Sequence, residues 1–222
     1  MLCYNVKVFC NRGKESEEEN GIHRTLMFIR SSAVMDECSS EYKKPNLQGT
    51  EPITTERLNL RKFKEYDVES FFKWANDSEV LKYFPVKPPE NMSEAHDMIR
   101  CWRGQYSEPD YLKWCIAKAE TNQAIGEISA SIDVATSTAE IEYALWQRMR
   151  GHGYVAEALS EVIKYLHDNV GVHRVIAQIN TENTASIRTA EKAGMELEGI
   201  MKDALVDRNG EFYDVAMFAH VM

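Results

Sequence analysis

Arg148-Met149-Arg150-Gly151-His152-Gly153-Tyr154 stands between a run of strand period and a run of helix period, and its reading decides the fold. Before it, Ile141, Tyr143 and Leu145 alternate with Glu140, Glu142 and Ala144, the period of a strand with two unlike faces. After it, Val155, Ala158, Leu159, Val162, Ile163 and Leu166 recur every three or four positions, which is one apolar face of a helix. Two glycines therefore sit where a strand hands over to a helix N-terminus. Unpaired backbone N–H groups and the positive end of the helix dipole gather there and can hold a phosphate. Glycine lets the chain turn tightly and lets a ligand approach bare backbone. Arg148 and Arg150 add positive charge beside the same loop. A phosphate-bearing ligand is expected at this point.

Working outward, residues 1–52 read as a leader, loosely structured or partly docked, with the acidic run Glu15-Ser16-Glu17-Glu18-Glu19 and a polar stretch from Ser39 to Thr50. From Ile53 to Met222 the pattern is dense. Alternation predicts a strand over Thr55–Phe63. Helices follow at 67–76 and 93–105, with Asp67 and Ser93 as expected caps. Strands are expected at Leu112–Lys118, Ala124–Ile132 and Ala139–Trp146, joined by short polar turns that suit hairpins. After the glycine loop come a helix over 154–168, an apolar strand His173–Asn180 and a helix Asn183–Ala193 stopped by Gly194. Strands Leu197–Lys202 and Phe212–Ala219 close the chain around Asn209-Gly210. The order β-α-α-β-β-β-α-β-α-β-β is a mixed α/β sheet.

The bulk composition narrows the function. With 222 residues, 44% hydrophobic and 27% charged, the chain has material for one core domain. Its net charge of −9 and lack of a basic cluster argue against nucleic acid and suit a cationic partner such as an amine. Five scattered cysteines, none spaced C-x-x-C, are expected to be free thiols in a reducing cytoplasm. Six histidines without a paired spacing support no metal site. No apolar run approaches the ~20 residues of a membrane span. Nothing at the start has the layout of a signal peptide, so the cytoplasm is the expected location.

Gly151-His152-Gly153-Tyr154-Val155-Ala156 formally matches the dinucleotide fingerprint G-x-G-x-x-A. In a nicotinamide-dinucleotide enzyme, however, the strand runs directly into the first glycine and an acidic residue ends the next strand ~20 positions on. Here Trp146 to Arg150 intervenes, hairpins precede the loop, and the next strand ends at Asn180.

The loop more closely resembles the [RQ]-x-x-G-x-[GA] acyl-CoA loop of the GNAT acetyltransferase superfamily. Ala139-Glu140-Ile141-Glu142-Tyr143-Ala144-Leu145 is similar to that family's AEIGY-x-L strand, and Gly153-Tyr154-Val155-Ala156-Glu157-Ala158-Leu159 to its GYATEAL helix start. Asn183-Thr184-Ala185-Ser186, Glu191-Lys192-Ala193-Gly194-Met195 and Glu198-Gly199 resemble its N-x-x-S, EKLGF and EG motifs. The resemblance runs from about Ile53 to Met222 and is strongest to the Rim-type branch, which includes acetyltransferases of ribosomal-protein N-termini and many members whose acceptors are small amines or unknown.

The resemblance implies the GNAT fold and acetyl-CoA as co-substrate, with no metal. Arg148, Met149, Arg150, Gly151, His152, Gly153 and Tyr154 would hold the pyrophosphate. Leu145 and Trp146 would lie beside the pantetheine arm. Asn183 would contact the cofactor as well as cap its helix, and Ser186 would protonate the leaving thiolate. The branch's glutamate base falls at Leu205 here and is not inherited. Amine acetylation needs a neutral nitrogen, so Glu142 and Glu140 are the candidate bases. The expected acceptor is a small amine or a protein N-terminus, met by a monomer or a homodimer. An inactive acyl-CoA-binding module is the alternative of a different class.

Overall fold

The computed structural model describes residues 44–83, 87–207 and 209–222, so most of the expected leader lies outside the described residues. The hydroxyl of Thr55 accepts the Leu58 N–H at 2.9 Å while the Thr55 N–H donates to the Leu58 carbonyl at 2.9 Å. This turn takes the start of the strand expected over Thr55–Phe63, of which only β2 (Leu58–Arg61) is strand, paired antiparallel with a short β1 (Ile53–Thr54) that precedes the turn. Residues just before β1 are tied to the body. Thr50 Oγ1 donates to the Tyr111 carbonyl at 2.8 Å and accepts the Lys113 N–H at 2.9 Å.

Three helices follow: α1 (Val68–Ala75), α2 (Ser78–Leu81) and α3 (Met92–Gln105). Asp67 precedes α1 but does not cap it as expected. Its buried carboxylate is taken by the half-buried Arg61 guanidinium, through bonds of 2.7 and 2.9 Å, and by the Lys64 N–H. Nor does Ser93 cap α3. Asn91 does so, accepting the Glu94 N–H at 3.0 Å, while Glu94 reaches back to the Glu90 N–H.

Strands β3 (Leu112–Lys118), β4 (Ala124–Asp133) and β5 (Thr138–Leu145) form an antiparallel meander. Helix α4 (Tyr154–Tyr165), extended by a wider turn over Leu166–Val170, carries the chain to β6 (Arg174–Asn180), which is parallel to β5. Helix α5 (Thr184–Lys192) ends at Gly194 with φ of +87°, the left-handed stop expected of it. Strands β7 (Glu196–Val206) and β8 (Phe212–Val221) complete an eight-stranded sheet of order β1-β2-β3-β4-β5-β6-β8-β7. Strand β7 runs further than expected by accommodating a bulge between Met201 and Leu205, where Asp203 has φ of +47°.

The alternation of β5 sorts two cores. Ile141 and Leu145 join Val155, Leu159 and Val162 of α4 and Val175, Ala177 and Ile179 of β6. Ala144 faces the other way, toward Phe71 and Trp74 of α1 and Ile99 and Trp102 of α3. Each fully buried large aliphatic side chain contributes about 1.5–3 kcal/mol, so both helical layers are fixed to the sheet. Cys115 is a buried free thiol, as expected of it, and the cysteines at 3, 10 and 38 lie outside the described residues. Among the described residues no helix is long and apolar enough to cross a membrane.

Candidate functional site

Strands β5 and β6 pair only from Thr138, Ala139 and Glu140 to Arg174, Val175 and Ile176. Beyond that point β5 stays with β4 as far as Gly126↔Leu145, and β6 stays with β8 as far as Asn180↔Val215. A wedge therefore opens in the middle of the sheet toward the ends that carry Leu145 and Asn180. The β4–β5 side of it is held very tightly. A Cβ on Gly126 would lie 2.3 Å from the Ala144 carbonyl oxygen, and the Trp146 N–H continues the ladder to the Ile125 carbonyl at 2.8 Å. Across the wedge, the Tyr143 hydroxyl donates to the Ser186 carbonyl at 3.0 Å.

The glycine loop leaves the mouth of this wedge. Leu145 is buried in the α4 core and Trp146 packs, half-buried, on the opposite side. A 3-10 turn, Gln147–Met149, leads to Gly151 and Gly153, with φ of +82° and +77°. No atom lies within 4 Å of a Cβ built on Gly151, so the backbone conformation, not crowding, calls for glycine there. Gly153 is the N-cap of α4 and has no side chain to occupy the first-turn N–H groups, which a helix leaves unpaired. Open space, left-handed glycines and a bare helix N-terminus fit a phosphate-bearing group.

The other loop residues divide. The Arg148 guanidinium stacks over Trp146 at 5.7 Å. Arg150 donates to the Glu79 carbonyl at 3.0 Å and faces the Glu79 carboxylate at 3.9 Å, so α2 holds it. Met149 packs, half-buried, against the core. The His152 ring stacks on Tyr154 at 5.5 Å, with Nδ1 3.0 Å from the Arg150 carbonyl.

At the other lip of the wedge Asn183 caps α5 as expected, its Oδ1 accepting the Ser186 N–H at 3.2 Å. The sheet thus brings the glycine loop, Leu145, Trp146, Asn183 and Ser186 to one end of the molecule. Glu140 is half-buried and Glu142 exposed on β5, on the face that carries Ala144 and looks toward α1 and α3. On that face Lys113 and Glu127 form a buried ion pair at 2.6 Å, one strand from Ala144. Asp214 is engaged at the sheet end by Lys202 at 2.6 Å and by the Asp203 N–H at 3.0 Å. Those two contacts, Lys202 foremost, hold its carboxyl below the usual range.

Sequence pattern did not single out the Tyr143 bridge, the Lys113–Glu127 pair or Arg57. Tyr143 was visible only as one member of an apolar face. Arg57 reaches the loop because of the Thr55 turn, where alternation alone predicts continuous strand.

Known proteins resemble this chain in sequence and fold. Residues 57–196 match the family described as acetyltransferase (GNAT) domain. An uncharacterised N-acetyltransferase of Bacillus licheniformis, p20, is 32% identical over 170 residues, spanning 76% of this chain and 95% of its own. A solved GNAT-family acetyltransferase of Bacillus anthracis is 28% identical, with a TM-score of 0.68 over 77% of this chain and 98% of its own. The microcin C7 self-immunity acetyltransferase MccE, solved with acetyl-CoA and AMP, shares the fold at 24% identity and a TM-score of 0.68, over 76% of this chain and 94% of its own. A doubly wound dinucleotide sheet needs successive parallel strands, and here β5 and β6 are the single parallel pair among the described strands.

Proposed function

The chain belongs to the GNAT acetyltransferase family, and on that premise we propose that it moves an acetyl group from acetyl-CoA directly to a primary amine in the cytoplasm. The observation that carries this reading is the wedge between β5 and β6 with the glycine loop at its mouth. N–H groups of Gly151 to Tyr154 hold the pyrophosphate, supported by the dipole of α4. The edge of β5 at Leu145 and Trp146 pairs with the pantetheine amides as a neighbouring strand would. Asn183 lines the opposite lip.

Acetyl-CoA supplies an activated thioester. The acceptor approaches from the α1–α3 face, where Glu142 is exposed, and Glu142 takes the proton that the ammonium form must lose. The amine nitrogen then bonds the acetyl carbon as the carbon–sulfur bond breaks, the Ser186 hydroxyl delivers a proton to the thiolate, and the second proton shed by the nitrogen returns through water to restore the hydroxyl. Most of the rate comes from holding the two substrates together. Backbone N–H at the wedge also polarises the thioester carbonyl.

The Rim-type motifs favour a protein N-terminus as acceptor, with a small amine the other member of the class. Release of free thiol from acetyl-CoA in the presence of an amine and N-terminal-peptide panel tests the proposal. Amine-dependent thiol release is the expected result. CoA binding with no turnover on any amine would make the protein an acyl-CoA-binding module, consistent with Leu205 at the position of the branch's base.

A further inference from the structure

Arg57, in the turn between β1 and β2, gathers three parts of the glycine loop. Its Nε and Nη2 reach Glu157 Oε2 at 2.7 and 2.6 Å, and its own backbone N–H donates to Oε1 at 3.0 Å. The Thr55 hydroxyl donates to that same Oε1. Nη1 donates to the His152 carbonyl at 2.9 Å, and the guanidinium lies over the Tyr154 ring at 4.9 Å. The residues gripped lie on both sides of Gly153, whose Cβ position is 3.7 Å from Nη2.

Two consequences follow from elementary geometry and charge. In a trans peptide the C=O and the following N–H point in opposite directions. Fixing the His152 carbonyl toward Arg57 therefore points the Gly153 N–H away from it. A loop with two left-handed glycines has much conformational freedom to lose, and this bond removes part of it in advance. Glu157 in the first turn of α4 also puts a negative charge beside a site meant for an anion. Burial opposes that charge, but the Thr55 hydroxyl, the Arg57 N–H and the guanidinium outweigh it and hold the Glu157 carboxyl below its usual range. Arg57 supplies the matching positive charge.

We propose that Arg57 is a positioning residue that sets the peptide plane between His152 and Gly153 and neutralises Glu157, so that the loop is anion-ready before the donor arrives. This rests on the reading that the loop takes the pyrophosphate of CoA. It also accounts for the Glu157 of the GYATEAL-like motif as the loop's anchor point.

The test compares dissociation constants of CoA and of pantetheine, which lacks the pyrophosphate half, in the full chain and its variants. Arg57→Ala is expected to weaken CoA by about tenfold or more and to leave pantetheine unchanged, because the loss is confined to the loop. Glu157→Gln added to Arg57→Ala recovers part of the CoA affinity by removing the unpaired charge. Hydrogen exchange across residues 150–157 rises in free Arg57→Ala and falls again with CoA. If Arg57→Ala does not fold, Arg57→Gln replaces it with the same expectation. Equal losses for both probes, or no loss for CoA, overturn the positioning role alone. Wild-type protein that binds CoA no more tightly than pantetheine overturns the loop reading, and the proposal with it.

Discussion

The Tyr143 hydroxyl donates to the Ser186 carbonyl at 3.0 Å, joining β5 to the first turn of α5 across the open wedge. Burial pushes the Tyr143 phenol well above its ordinary range, so it remains a neutral donor at any working pH. The bond holds the proposed proton donor against the strand that would carry the acyl chain. Tyr143→Phe is expected to lower stability by about 1 kcal/mol, read as a shift in urea midpoint. Because Ser186 would lose its tether, kcat should fall several-fold while the KM for acetyl-CoA changes little.

Gly126 tests how tightly the wedge is built. Its missing Cβ would lie 2.3 Å from the Ala144 carbonyl oxygen and 3.1 Å from the Leu145 Cα, both backbone atoms that cannot rotate away. Gly126→Ala should cost about 1–3 kcal/mol, the usual penalty of forced overpacking. A thermal melt followed by circular dichroism measures it. An unchanged melting temperature would mean that β4 and β5 are not so close.

Gly151 isolates the backbone requirement of the loop, because nothing crowds its Cβ position. Gly151→Ala should add about 1–2 kcal/mol of left-handed strain, expressed as weaker CoA binding more than as global instability. Calorimetric titration with CoA reads this directly.

The pair His167–His220 gives stability a pH dependence. His167 donates through Nδ1 to the Val172 carbonyl at 2.8 Å, and its Nε2 accepts from His220 Nδ1 at 3.0 Å. Burial, and then the neighbouring His167, lower the affinity of His220 for a proton. The unfolded chain thus binds that proton more readily, and stability rises with pH. The contribution is present above about pH 6.5, the ordinary imidazole value, and is lost as pH falls through the lower folded value. Urea midpoints of His220→Gln should depend less on pH across that window than those of the wild type.

Much of this was legible in the sequence because its signals were local and periodic. The alternation of β5, the apolar stripe of α4, the Asn183 cap and the Gly194 stop depend on residues a few positions apart, and all appear where the pattern placed them. The caps at Asp67 and Ser93 failed for tertiary reasons: Asp67 is claimed by Arg61, and Asn91 starts α3 first. The Thr55 turn was missed because a hydroxyl-closed turn interrupts alternation without glycine or proline to mark it. Contacts between distant segments, such as Arg57 with Glu157 and Tyr143 with Ser186, leave no spacing to read.

The most direct test of the account is a crystal structure of the full chain with CoA. The pyrophosphate should lie against the N–H groups of Gly151 to Tyr154 and the pantetheine arm between β5 and β6, with its sulfur near Ser186. CoA bound away from the wedge, or held by side chains with the loop N–H groups uninvolved, would contradict it.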